Sequence, residues 1–360
     1  MAITEFDVTS VVEDDNRAET EDGETSNNVQ YSISSYGADY PVDMLVDRLR
    51  SGSIEIPDFQ RSFVWTPAEA SRFIESLLLG LPVPGIFLYK EPDTQKLLVI
   101  DGQQRLRTLW FFYDEKMNGT LFKLRGVKEA FDGLTYKTLS ESDRLKLDNS
   151  ILHATIVQQD DPKNDASSIY LVFERLNTGG TTLSPQEIRR CVYHGEFASL
   201  LEDLNKAPEW RCVFGPINKR GKDQELILRF FALFYSLDTY RRPMKIFLNK
   251  FMEENKRLNR YSQEVLSTLF FGTVLSVSNG LGKKAFRPEK TLNAAVADSV
   301  LVAIARRLKH GPIDRSSFLT EYGSLMQNSD YLSCCQSATT DEENVKRRIV
   351  LATEYMGKVQ

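Results

Sequence analysis

Residues 97–109, LLVIDGQQRLRTL, hold the densest chemistry in the chain. An apolar run enters Asp101-Gly102 and passes directly into Gln103, Gln104 and Arg105. A strand that turns at glycine into a helix presents unpaired backbone N–H groups and the positive end of the helix dipole. Gly102 would let the backbone approach a ligand closely. The two glutamines supply amide donors and acceptors, and Arg105 supplies a planar cation suited to phosphate oxygens. Asp101 has three readings: helix cap, metal ligand, or partner of a ribose hydroxyl. The alternative to an anion site is a capped helix with an arginine facing solvent.

Two further segments carry polar groups of the same kind. Residues 173–187, FERLNTGGTTLSPQE, place Asn177, Gly179 and Gly180 in a donor-rich loop able to close over a phosphate. The plainer reading is a helix end followed by a connector. Residues 57–65, PDFQRSFVW, set Gln60 and Arg61 among aromatics, where an arginine can stack or bind an anion. The plainer reading there is a surface turn whose Phe63 and Trp65 anchor in the core. No G-x-x-x-x-G-K-[ST] pattern occurs, which excludes a Walker-type nucleotide site.

Charge is unevenly placed. The net charge of -5 conceals nine acidic residues against Arg17 in residues 1–30, a segment expected to be a disordered acidic tail. Residues 241–290 hold eleven Lys or Arg and four Glu. Arg241, Arg242, Lys245, Lys256, Arg257 and Arg260 are the candidate contacts to a DNA backbone. The rival reading is a solvated helix face, with Phe247 and Phe251 at i,i+4 belonging to the core. Only three histidines and four cysteines occur, and no C-x-x-C. That excludes a disulfide framework and a structural zinc site. With no leader pattern at the N-terminus and no long apolar run, the cytoplasm is the expected compartment and a membrane is not an expected partner.

The elements that must position these groups follow from periodicity. Apolar residues at 42, 45, 46 and 49 predict a helix. Thr66, Pro67 and Glu69 form a capping box that opens a second one, and Ser184, Pro185 and Glu187 form another. Residues 85–89 and 97–100 predict two buried strands in a hairpin. Residues 103–113 predict a helix, 151–157 a strand and 168–176 a helix. Beyond Ser184 nearly every pattern is helical. The expected organisation is an acidic tail at 1–37, an α/β domain at 38–190 and an all-helical domain at 191–360. The helix from Ser184 could belong to either domain.

Together, IPDFQRSFVW, ESLLLGLPVPGIFLY, VIDGQQRLRTL and FERLNTGGTTLSPQEIR resemble, in order and spacing, the GmrS-type DGQQR domain. That domain also forms the N-terminal half of SspE-like and BrxU-like phage-defence proteins. The resemblance covers about residues 40–260, with QELILRFFAL and RRPMKIFLNKFM resembling its helical continuation. It implies an α+β protein: a domain similar to the ParB N-terminal and sulfiredoxin fold, followed by an all-α domain. It also implies a nucleoside triphosphate, with Mg2+, bound at Gln60, Arg61, Asp101, Gly102, Gln103, Gln104, Arg105, Asn177, Gly179 and Gly180. Asp101, Gln104 and Arg105 carry the implied hydrolysis, which the family couples to sensing foreign DNA. Family members that cut DNA carry a C-terminal His-Asn-His nuclease. After residue 200 this chain has one histidine, His310, so the nuclease is expected to be absent or supplied by a partner, as is a methyltransferase. The alternative function is a non-catalytic nucleotide-binding or DNA-binding module.

Overall fold

The computed structural model describes residues 32–56, 63–92, 94–161, 167–176 and 183–360. The acidic segment, Gln60, Arg61, Asn177, Gly179 and Gly180 lie outside the described residues. By its contacts the chain divides into two compact units, Val29–Leu183 and Ser184–Gln360.

The first unit is built on a five-stranded mixed sheet. Its strands are β1 (Ser32–Pro41), β2 (Ile54–Glu55), β3 (Ile86–Lys90), β4 (Leu97–Asp101) and β5 (Ile151–Asp161). Their spatial order is β1, β5, β3, β4, β2. The expected hairpin is present as the antiparallel β3–β4 pair. β1 lies antiparallel to β5, while β3–β5 and β2–β4 are parallel. β1 begins at Ser32, so residues 32–37 belong to the sheet rather than to the acidic tail. Its sequence hides this, because at a sheet edge most of its side chains face solvent and no apolar alternation is imposed.

Three helices cover the apolar face of the sheet. Helix α1 (Val42–Arg50) buries Val42, Leu45, Val46 and Leu49, and each such side chain contributes roughly 1.5–3 kcal/mol. Helix α2 (Pro67–Leu78) starts at the expected capping box: Thr66 Oγ1 accepts from Glu69 N at 3.2 Å, and Glu69 Oε2 accepts from Thr66 N at 2.7 Å. Helix α3 (Gln103–Tyr113) buries Leu106, Leu109 and Phe112. At its C-terminal end Tyr113 donates to Asp148 Oδ1 at 2.6 Å, and Tyr136 donates to the same oxygen at 3.0 Å. Burial first, and the bonds to Asp148 second, push the Tyr113 phenol far above its ordinary range and the Tyr136 phenol up to about 12. Helix α4 (Glu141–Asp148) supplies that aspartate, and α5 (Ser167–Leu176) packs on β4 from within the same unit.

The second unit is helical. Helix α6 (Pro185–Val192) opens at the expected Ser184–Glu187 capping box and belongs to this unit. Its Arg189, 1% exposed, donates to Asn249 Oδ1 at 2.8 Å and Glu225 Oε2 at 2.7 Å. Helix Ala294–Arg307 is buried through most of its length against Lys222–Ser236 and Glu342–Met356. At their junction Asp298 takes two guanidinium groups: Arg348 Nη2 at 2.8 Å and Arg229 Nη2 at 3.1 Å. This pairing explains how Arg229 sits inside the otherwise apolar run of its helix. The four cysteines are free, and three of them are buried. Among the described residues no helix is long and apolar enough to cross a membrane.

Candidate functional site

Gly102 is the N-cap of α3, with φ 97° and ψ 8°, a left-handed conformation that side-chain-bearing residues rarely adopt. A Cβ at this position would collide with the Ile86 side chain, lying 2.9 Å from its Cβ, and 3.4 Å from its Cα. The freedom of Gly102 therefore serves the close approach of β4 to β3. The strand cannot turn directly into the helix here with any larger residue.

The turn delivers Asp101, Gln103, Gln104 and Arg105 to one end of the sheet, all half-buried. The N-cap, Gly102, has no side chain with which to cap α3, and the first turn contains no acidic residue. Asp101 thus does not act as the cap, one of the roles open to it in the sequence. Its Oδ2 instead accepts from Arg105 Nη2 at 2.7 Å, one helical turn on. Arg105 Nη1 also donates to Pro84 O at 3.3 Å, in the segment entering β3. The Arg105 side chain is 14% exposed and that of Asp101 43%. The junction is thus open to solvent on the carboxylate side, with the guanidinium held flat against the protein.

Gln104 has a positioning role that its sequence context did not reveal. Its Oε1 accepts from Val64 N at 3.0 Å and from Trp65 N at 3.4 Å. That bond ties the start of α3 to the segment that follows Gln60 and Arg61. Phe63 packs edge-on against Phe111 at 5.0 Å and Trp65 against Phe73 at 5.7 Å, so the segment is anchored in the core as its aromatics suggested. With Oε1 engaged, Gln104 has its Nε2 donor to offer a ligand.

The arrangement is electrostatically asymmetric. The N-terminal end of α3 and the Arg105 guanidinium lie at one end of the sheet, beside the Asp101 carboxylate. The Asp101–Arg105 pair is part-buried and is itself a charge-assisted bond. Among the described residues no cluster of three or more His, Cys, Asp or Glu could hold a metal ion by itself. Asp101, with Oδ1 outside the Arg105 bond, fits a cation that takes most of its oxygens from phosphate and water, as Mg2+ does.

The six candidate DNA contacts fall into two groups. Arg241, Arg242 and Lys245 lie at the start of helix Met244–Asn255, and Lys256, Arg257 and Arg260 follow its end. Lys245 and Lys256 are thus about 16 Å apart along the axis. Carboxylates accompany both groups: Glu342 Oε2 lies 3.5 Å from Arg241, and Glu254 pairs with Arg260. Phe247 and Phe251 are buried, as expected of core residues. His153, exposed on β5, bonds Asp39 Oδ1 at 2.8 Å across the β1–β5 pair.

A strand of a mixed sheet that turns at a left-handed glycine directly into a helix, followed by a helical region, defines the class as an α/β domain joined to a helical one. Residues 42–194 match the family described as GmrSD restriction endonuclease, N-terminal domain. This part of the chain is a GmrSD-type N-terminal domain, and a helical region follows it. The match runs through α6, beyond the contact boundary at Ser184. An uncharacterized protein of Methanocaldococcus jannaschii is 32% identical over 91 residues, a match covering 19% of this chain and 16% of that protein. The chain therefore matches well under two thirds of that relative's length.

Proposed function

We propose that the junction at Gly102 binds the phosphates of a nucleoside triphosphate and promotes their hydrolysis. The observation that carries this reading is the N-terminal end of α3, opened at Gly102, set beside a nearly buried Arg105 that is already oriented. The amides of Gln103, Gln104 and Arg105 take the phosphate oxygens, and Arg105 exchanges Asp101 for phosphate. Asp101, once released, would hold a Mg2+ accompanying the nucleotide, and that ion would supply neutralisation of phosphate charge. Gln104 Nε2 donates to a phosphate oxygen or to the attacking water. Gln60, Arg61, Asn177, Gly179 and Gly180, which lie outside the described residues, complete the proposed set of contacts. Hydrolysis serves as a switch in defence against foreign DNA, in keeping with the restriction endonuclease in the family's description. DNA contact falls to the basic residues at the two ends of helix Met244–Asn255, and cutting to a partner protein.

The test is to titrate the purified chain with ATP, GTP, CTP and UTP in Mg2+, following binding by calorimetry and phosphate release by absorbance. Arg105→Ala should weaken binding about tenfold or more, the loss of one charged contact. An Arg105→Ala chain equal to wild type for every nucleotide overturns the assignment. Binding without phosphate release favours the non-catalytic module. DNA affinity that falls steeply with salt, without nucleotide affinity, favours a DNA-binding module.

A further inference from the structure

A polar cavity lies in the α/β unit, at the opposite end of β4 from Asp101. Its volume is about 340 Å³, and Tyr36, Tyr40, Arg48, Lys90, Thr94 and Lys96 are among the residues that line it. Leu97 at its floor begins β4 and Asp101 ends it, so some 13 Å of strand separate the two sites. Strand pairing assembles the cavity from remote segments. Tyr36 of β1 stands opposite Ile156 of β5, and Lys90 of β3 opposite Leu97 of β4.

The lining is cationic. Arg48, Lys90 and Lys96 face the cavity, and among the described residues no carboxylate lines it. Lys96 pairs with Glu55 at 3.2 Å, both side chains about half exposed, a pair that water screens. Arg48 and Lys90 have no carboxylate within ion-pair distance among the described residues. The Arg48 guanidinium instead lies over the Tyr40 ring, 5.2 Å from its centre, which fixes its direction. The rim is also built: Gln95 Nε2 donates to Pro92 O at 2.8 Å, Glu91 N to Lys96 O at 2.9 Å, and Thr94 Oγ1 to Glu91 Oε2 at 2.5 Å. Tyr36 is 46% exposed at the mouth, an unusual place for a large ring without a partner.

We propose that this cavity is a second ligand site, specific for a nucleotide phosphate, with Arg48 and Lys90 holding the phosphate and the Tyr36 ring receiving the base. Two half-buried cations without acidic partners suit a dianionic phosphate. An exposed ring beside them suits a base face. The volume is within the range of small-molecule pockets and accommodates one nucleotide unit. That unit can be a free mononucleotide or one residue of a single strand; the chemistry recognised is the same.

The test reads the site itself. A brief pulse of acetic anhydride is followed by mass spectrometry of Lys90, with AMP, inorganic phosphate or a hexathymidylate strand present. AMP should slow Lys90 acetylation saturably, about tenfold at saturation, and equally so in an Arg105→Ala chain, which separates this site from the one at Gly102. Arg48→Gln should weaken that protection about tenfold, and Tyr36→Ala, a surface change, should weaken AMP protection but not that by phosphate. Protection by the strand at concentrations where AMP gives none identifies the strand as the source of the unit. Lys90 reactivity unchanged by all three probes overturns the proposal. So does protection no greater than that of Lys250, which is 74% exposed and does not line the cavity.

Discussion

Gly102→Ala should be among the most damaging single-atom additions to the α/β unit. Two costs combine. A Cβ at φ 97° incurs backbone strain of about 1–3 kcal/mol. The same Cβ meets the Ile86 side chain far inside contact distance, and both residues are buried in the sheet. Overpacking of this kind costs about 1–3 kcal/mol. The sum, about 2–6 kcal/mol, is a large share of the 5–15 kcal/mol by which domains are usually stable. Because the chain has two compact units, a single melting curve would blur the effect. Hydrogen exchange in a urea series resolves it: peptides from β3 and α3 report the first unit, and peptides from helix Ala294–Arg307 serve as internal reference. The first group should lose protection at about 1–2 M lower urea while the reference stays fixed. Ile86→Ala costs about 2–5 kcal/mol alone, and combined with Gly102→Ala the two losses should be less than additive, because it removes the branch methyl but leaves the strain and the 2.9 Å approach of the Ile86 Cβ. A Gly102→Ala chain whose two peptide groups both keep their wild-type midpoints would refute the reasoning.

Two other perturbations have definite expectations. Both Tyr113 and Tyr136 have phenols raised above the ordinary value near 10, Tyr136 to about 12. Their protonated forms stabilise the fold fully below about pH 10, and this contribution is lost as pH rises through 10 towards 12 and beyond. Absorbance at about 295 nm on alkaline titration should therefore place Tyr113 and Tyr136 among the late tyrosines, with Tyr235, Tyr322 and Tyr331, and Asp148→Asn should advance the Tyr136 step. In the helical unit, Asp298→Ala should cost about 3–5 kcal/mol by leaving the buried Arg229 and Arg348 without their common carboxylate. Urea-dependent exchange of helix Glu342–Met356 checks this, and an unchanged midpoint would show that the pair is not what holds those helices together.

Local signals made much of the fold legible. The Thr66 and Ser184 capping boxes lie where a side chain three residues on completes them, and α3 runs over the residues its pattern named. The order of an α/β part before a helical part was legible for the same reason. Non-local facts were not. β1 is held by pairing with β5, more than a hundred residues away, and its own residues alternate too weakly to announce it. The residues of the Gly102 junction could be named from their types, but the partners of Arg105 could not. The Pro84 carbonyl reaches it only because β3 and β4 pair. Counting charges over residues 241–290 likewise merged two clusters that a twelve-residue helix separates, Met244–Asn255. The cavity at Arg48 and Lys90 escaped notice because four distant segments build it, and none carries a motif.

The central claim is that the first-turn amides of α3 receive phosphate. It is tested most directly by amide exchange of Gln103, Gln104 and Arg105 with and without a nucleoside triphosphate and Mg2+. Those three N–H groups should slow markedly on addition of nucleotide, while amides in the middle of α3, already bonded within the helix, stay unchanged. Saturable nucleotide binding that leaves the exchange of these three amides untouched would contradict it.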